Sequence, residues 1–206
     1  MLPELSHKDA DIKSVAEKAL QDEGLLSQLL DGLTSRKETL RYNCFKVLML
    51  LSQEHGAVLY PRWDYFVELL GSDNSYWRLR GLQIIANLTR VDTDSKFEKV
   101  FDRYYGLLSD EGTIVAAYVA ANSGKIAQAK PHLQGQITHR LLNMDRVYRG
   151  KQIDLIKGHA VEAFAEYYVK SPDRDRIIEF VRAQLKSNSP RTRKQAQTFL
   201  HRMGEV

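Results

Sequence analysis

The sequence is poor in the residues that staple, break or anchor a chain. Cys44 is the only cysteine, which excludes an intrachain disulfide or a thiolate cluster and fits a reducing cytoplasm. Five prolines and 12 glycines, with few β-branched runs, are too little punctuation for a many-turned sheet protein. No apolar run approaches the roughly 20 residues that span a bilayer, so no membrane contact is expected. The opening Met1-Leu2-Pro3-Glu4-Leu5 lacks the basic and apolar regions of a secretory signal.

Motifs that carry chemistry are scarce too. GxGxxG and GxSxG do not occur, and Gly150-Lys151 fails as a P-loop because Gln152 follows and Asp145 stands where a glycine is needed. His7, His55, His132, His139, His159 and His201 are scattered, without HExxH or any ligand spacing. The acid pairs Asp9/Asp11 and Asp92/Asp94 fall in polar segments that read as solvated turns. The expectation is therefore no metal, no cofactor, no catalytic residue and no enzyme.

What the chain has is apolar periodicity. At 43% apolar, it can bury a core unaided. Laid over itself, it divides before Leu25, Trp63, Phe101, Thr138 and Ile178 into blocks of about 36–40 residues. Each block opens with a short apolar-periodic segment such as WDYFVELLG, crosses a polar break such as SDNSY, and continues into a longer one such as YWRLRGLQIIANLTR. Leu40, Cys44, Val47, Leu48 and Leu51, or Leu79, Leu82, Ile85 and Ala86, recur at helical spacing. Val47, Leu48, Leu82 and Ile85 are thus expected between helices. Cap-type residues stand where second helices should begin: Asp73, Asn74 or Ser75; Ser109 or Asp110; Asn188 or Ser189 ahead of Pro190. Residues 9–24 add one amphipathic helix as an N-terminal cap. One helix pair cannot bury its own stripe, but stacked pairs can.

The paired segments, their period, and an apolar residue followed by Arg early in the second helix resemble the HEAT-repeat family. The dipeptides are Leu40-Arg41 and Leu79-Arg80, with Ile156-Lys157 and Thr192-Arg193 as looser matches; Val115-Ala116 departs. The resemblance implies an all-α, right-handed solenoid of about five antiparallel helix pairs. Residues 1–206 would form one domain, with repeats at 25–62, 63–100, 101–137, 138–177 and 178–206. It also implies a structural ladder in which Arg41 and Arg80 pair with loop acids, here Asp73 and Asp110.

In such arrays second helices line a concave surface, which assigns Arg78, Gln83, Asn87, Tyr118, Asn122, Lys125, Lys157 and Lys194 to a candidate binding surface. The function this implies is a non-catalytic scaffold or adaptor for a protein partner, monomeric or weakly oligomeric. Nucleic-acid binding is the alternative. Residues 104–206 carry 16 Lys+Arg against 10 Asp+Glu, and the last helix holds Arg191, Arg193, Lys194 and Arg202 beside His201. Tyr76-Trp77-Arg78-Leu79-Arg80 interleaves rings with cations, as base stacking requires, and SDNSYWRLRG is similar to the second helices of HEAT-like alkylpurine DNA glycosylases. An adjacent Trp-Trp-Asp element of the kind those enzymes use is missing, since Trp63 and Trp77 lie 14 residues apart. A factor that assembles one protein complex would share the same fold.

Overall fold

A computed structural model describes residues 2–205. Among them every regular element is helical. After a 3-10 turn at Pro3–Leu5 come α1 (Ile12–Ala19), α2 (Glu23–Gly32), α3 (Glu38–Glu54), α4 (Gly56–Leu59), α5 (Trp63–Leu69) and α6 (Ser75–Leu88). The chain continues through α7 (Lys96–Gly106), α8 (Thr113–Ala129), α9 (Gln134–Leu142), α10 (Met144–Val147), α11 (Ile153–Tyr167), α12 (Arg174–Gln184) and α13 (Pro190–Met203).

Local chemistry starts these helices. Asp11 accepts from the Ser14 amide and Asp22 from the Leu25 amide, capping α1 and α2. Asn74, rather than Asp73 or Ser75, caps α6 through the Tyr76 amide. Ser189 caps α13 with Pro190 in the first turn, and Gly204 closes that helix in the left-handed region at φ 70°. Asp110 accepts from the Gly112 amide just ahead of α8.

The long helices α3, α6, α8, α11 and α13 each pack on the next and form one layer. The shorter α2, α5, α7, α9 and α12 stand before their partners in the chain. Val47, Leu48, Leu82 and Ile85 are fully buried, within one continuous apolar cluster that runs the length of the described chain. Its middle is aromatic: Phe97, Phe101, Tyr104 and Tyr105 meet edge-on or tilted along α7. The two tyrosine hydroxyls donate to the Leu82 carbonyl and the Ser123 hydroxyl, so neither is buried unpaired. Gly81 lets α6 press on α5. A Cβ there would sit 2.7 Å from the Phe66 carbonyl oxygen.

Two expectations need correction. The cuts before Leu25, Phe101, Thr138 and Ile178 fall inside α2, α7, α9 and α12. Those cuts followed the apolar stripe, whereas the helices start two to five residues earlier, at Glu23, Lys96, Gln134 and Arg174. The second correction concerns Asp92, which is no solvated turn residue: its side chain is fully buried. It accepts from the Lys96 and Phe97 amides at the start of α7, just beyond Ser95 at φ 53°. It also accepts the Tyr60 hydroxyl at 2.6 Å and pairs with Lys130 at 2.8 Å. Its neighbour Asp94 is exposed.

Candidate binding surface

The arginine ladder is built from the fourth residue of a second helix. Arg41 donates to the Ser35 carbonyl, Arg78 to that of Ser72, and Arg193 to that of Ser187, each six residues back. Arg78 also binds Asp110 of the next repeat, Nε to Oδ2 at 2.6 Å, with both side chains largely buried. The expectation that paired Leu40-Arg41 with Leu79-Arg80 was therefore two residues out of register. Arg78, assigned to the binding surface, belongs to the ladder. Arg80, assigned to the ladder, meets neither Asp73 nor Asp110. Two residues along a helix turn the side chain by about 200°, so the pair cannot share a role.

Arg80 points toward a cavity of about 570 Å³ between α3 and α6. Its guanidinium carbon lies 5.2 Å from the Phe45 ring centre and 5.3 Å from that of Trp77, a cation clasped by two rings. Burial, then the charge of Arg41, pulls this guanidinium below its ordinary pKa. Tyr42 and Tyr76 stand at the same cavity, 55% and 69% exposed.

The rest of the face is knit together by polar contacts that cross from repeat to repeat. Asn87 donates to Ser52 and accepts from Lys125, both at 2.8 Å. Lys125 is held below its usual pKa by burial, against the pull of Glu166. Burial raises Glu166 in turn, and its carbonyl accepts from Gln128. Lys157 pairs with Asp145 at 2.9 Å. Asn122 is buried near the Tyr104 hydroxyl. Gln83 is half-buried, while Tyr118 and Lys194 are exposed. Asn87, Arg90 and Lys125 line a second cavity of about 370 Å³, and Lys194 and Arg202 a third of about 490 Å³ between α11 and α13.

Of the eight residues assigned to the surface, Arg78, Asn87, Lys125 and Lys157 thus spend their polar groups within the fold, and Asn122 is buried with its amide nitrogen unpaired among the described residues. Sequence reasoning missed Arg41, Phe45 and Arg80 as cavity walls, and missed the buried Asp92–Lys130 pair. A signal was present: Asp92 and Lys130 lie 38 residues apart, as do Asn87 and Lys125, which is the length of one repeat.

Among the described residues no three His, Cys, Asp or Glu side chains are placed to hold a metal ion. Burial pushes the Cys44 thiol to about 11, which leaves almost no thiolate at neutral pH. Among the described residues no helix is long and apolar enough to cross a membrane.

No family model matches this chain, and no curated protein sequence does. Solved structures share its fold, two of which follow. An engineered protein from the Northeast Structural Genomics Consortium superposes with a TM-score of 0.59 at 18% identity, over 96% of this chain and 90% of that one. A designed armadillo repeat protein does so with the same score and identity, over 97% of this chain and 90% of that one. The fold is an all-α solenoid of the armadillo/HEAT-like kind. At such identity the likeness extends to the fold alone.

Proposed function

We propose that the protein is a non-catalytic scaffold that binds a protein partner along the open face of its second helices. One observation carries this reading. Of the seven large apolar side chains left exposed among the described residues, Tyr42, Tyr76, Ile114 and Tyr118 lie on α3, α6 and α8. Single exposed apolar residues are ordinary, but two tyrosines gathered at one cavity, Tyr42 and Tyr76, supply the rigid, amphipathic contact area that interfaces favour. The comparison with designed repeat proteins adds a fold suited to such a surface and nothing about a partner.

A photocrosslinking residue at Tyr118 in the native cell tests the reading, with the same residue at exposed Lys99 on α7 as control. Capture of one protein from position 118 and not from 99, unchanged by nuclease, is the expected result. Equal labelling from both positions would remove the assignment of this face. The alternative, a duplex or single strand across the basic half, requires free cations, and Arg78 and Lys157 already hold Asp110 and Asp145. Binding of a labelled duplex whose affinity falls with salt at a log–log slope steeper than about −3 would restore it.

A further inference from the structure

We propose that the cavity between α3 and α6 is a recognition pocket for a single acidic side chain, an Asp or Glu presented by a peptide segment of the partner. This rests on the scaffold reading and names the chemistry its partner must bring.

Of the part-buried cations in the second-helix layer, Arg41, Lys125 and Arg193 donate to neutral oxygens, whereas Arg78 has Asp110 as counter-charge and Lys130 has Asp92 and Glu98. Arg80 has none within ion-pair distance among the described residues, although it is half-buried. Its guanidinium lies over the rings of its two neighbours in the cavity, Phe45 and Trp77. Ring faces leave the in-plane N–H donors of a guanidinium unspent, and these are the donors that fit a carboxylate in two parallel hydrogen bonds. Arg41 stands close enough to disfavour the charge on Arg80, so the pair is under like-charge repulsion that an anion would relieve.

The net charge of the pocket selects among anions. Its charged walls are Arg41, Arg80 and Glu38, two positive charges against one negative. One carboxylate neutralises that sum. A phosphate dianion overshoots it, and a polyanionic strand would also meet Glu38. The exposed Tyr42 and Tyr76 at the mouth offer ring faces to whatever apolar residues flank the acid. A site whose cation is already clasped loses little side-chain freedom on binding, which favours affinity from a short segment.

The probe is an array of short labelled peptides, each with one central Glu between aliphatic residues, beside matched sets carrying Gln or phosphoserine. Glu peptides should bind over their Gln counterparts, and the best should weaken roughly tenfold or more in Arg80→Gln, with partial recovery in Arg80→Lys. Tyr76→Glu, at a 69% exposed position that spares the fold, plants a carboxylate at the mouth and should block the same peptides. Equal binding of Glu and Gln sets, tighter binding of phosphoserine, displacement by a DNA duplex, or indifference to both Arg80→Gln and Tyr76→Glu would each overturn the proposal. Repeating the Tyr118 crosslink separates the two levels. A crosslink that forms equally in Arg80→Gln and Tyr76→Glu rejects the carboxylate pocket and keeps the scaffold. Absence of the crosslink in the unaltered protein rejects the scaffold, and the pocket's partner with it.

Discussion

The two sides of α6 face different neighbours and use their cations differently. Toward α8, the seam is filled with matched groups: Asn87 with Lys125, Arg78 with Asp110, and beyond them Lys130 with Asp92 and Glu98. Toward α3, at the start of the helix, the groove holds Arg80 between two rings, with Arg41 nearby and no carboxylate bound to it. The difference teaches where to look for function in a repeat array. Charges satisfied by the next repeat hold the stack in register, and a charge left over between repeats is available to something else. In a low-dielectric seam an unmatched charge is costly, so its retention in the groove is the more informative observation.

The largest test of the contrast lies in the seam. Asp92→Ala should cost about 3–5 kcal/mol in urea unfolding, because it strands the buried Lys130 charge and also uncaps α7. A loss below about 1 kcal/mol would mean that the Asp92 pair does not hold the repeats together.

Acid should erase the same contribution in the unaltered protein. Burial alone would raise Asp92, but hydrogen bonds from Lys130, Tyr60 and two backbone amides outweigh it and hold the carboxyl below its ordinary 3.8. Glu98 is likewise raised by burial, and held below 4.5 by a backbone bond and by Lys130 and His132. Carboxyls depressed by folding stabilise the protein fully above their unfolded pKa values, and that stability fades as pH falls through the lower folded values. The urea midpoint should therefore drop below about pH 4, and drop less steeply in Asp92→Asn. An identical pH profile in the variant would assign the acid sensitivity elsewhere. The Tyr60 hydroxyl, pushed to about 12 by burial and its bond to Asp92, stays protonated throughout.

The sharpest comparison uses two arginines on one helix. Arg78→Ala should cost about 1–3 kcal/mol, since it leaves Asp110 and the Ser72 carbonyl without their donor. Arg80→Gln should change stability by less than about 0.5 kcal/mol, because lost ring contacts are offset by relief from Arg41. Urea midpoints of both variants decide it. Equal losses would dissolve the distinction between seam and groove.

Much of the fold was legible because it rests on short-range rules. Apolar spacing set the buried faces, so Val47, Leu48, Leu82 and Ile85 lie at full burial as their period requires. The Ser189-Pro190 start and the Asn74 cap are local hydrogen-bond chemistry, readable within four residues. The repeat length came from self-comparison, though the cuts slid by a few residues because an apolar stripe marks the face of a helix and not its end. The candidate surface was less legible. It was taken from outward helical positions, which cannot distinguish a side chain facing solvent from one facing the adjoining repeat.

By itself, then, the sequence determined helical periodicity, capping and the stacked architecture, all of which follow from contacts between residues close in the chain or from apolar patterning. The tertiary structure alone decided that Arg78 is spent on Asp110 while Arg80 is left between Phe45 and Trp77. It alone drew Asp92 under Tyr60 and Lys130. These outcomes depend on the rotation and offset between successive repeats, which bring together groups some 32–38 residues apart. A shift of one helix by two residues along its axis would reverse which arginine meets its acid. That offset is set by how whole helix faces interlock, a property of close packing that no single stretch of sequence carries.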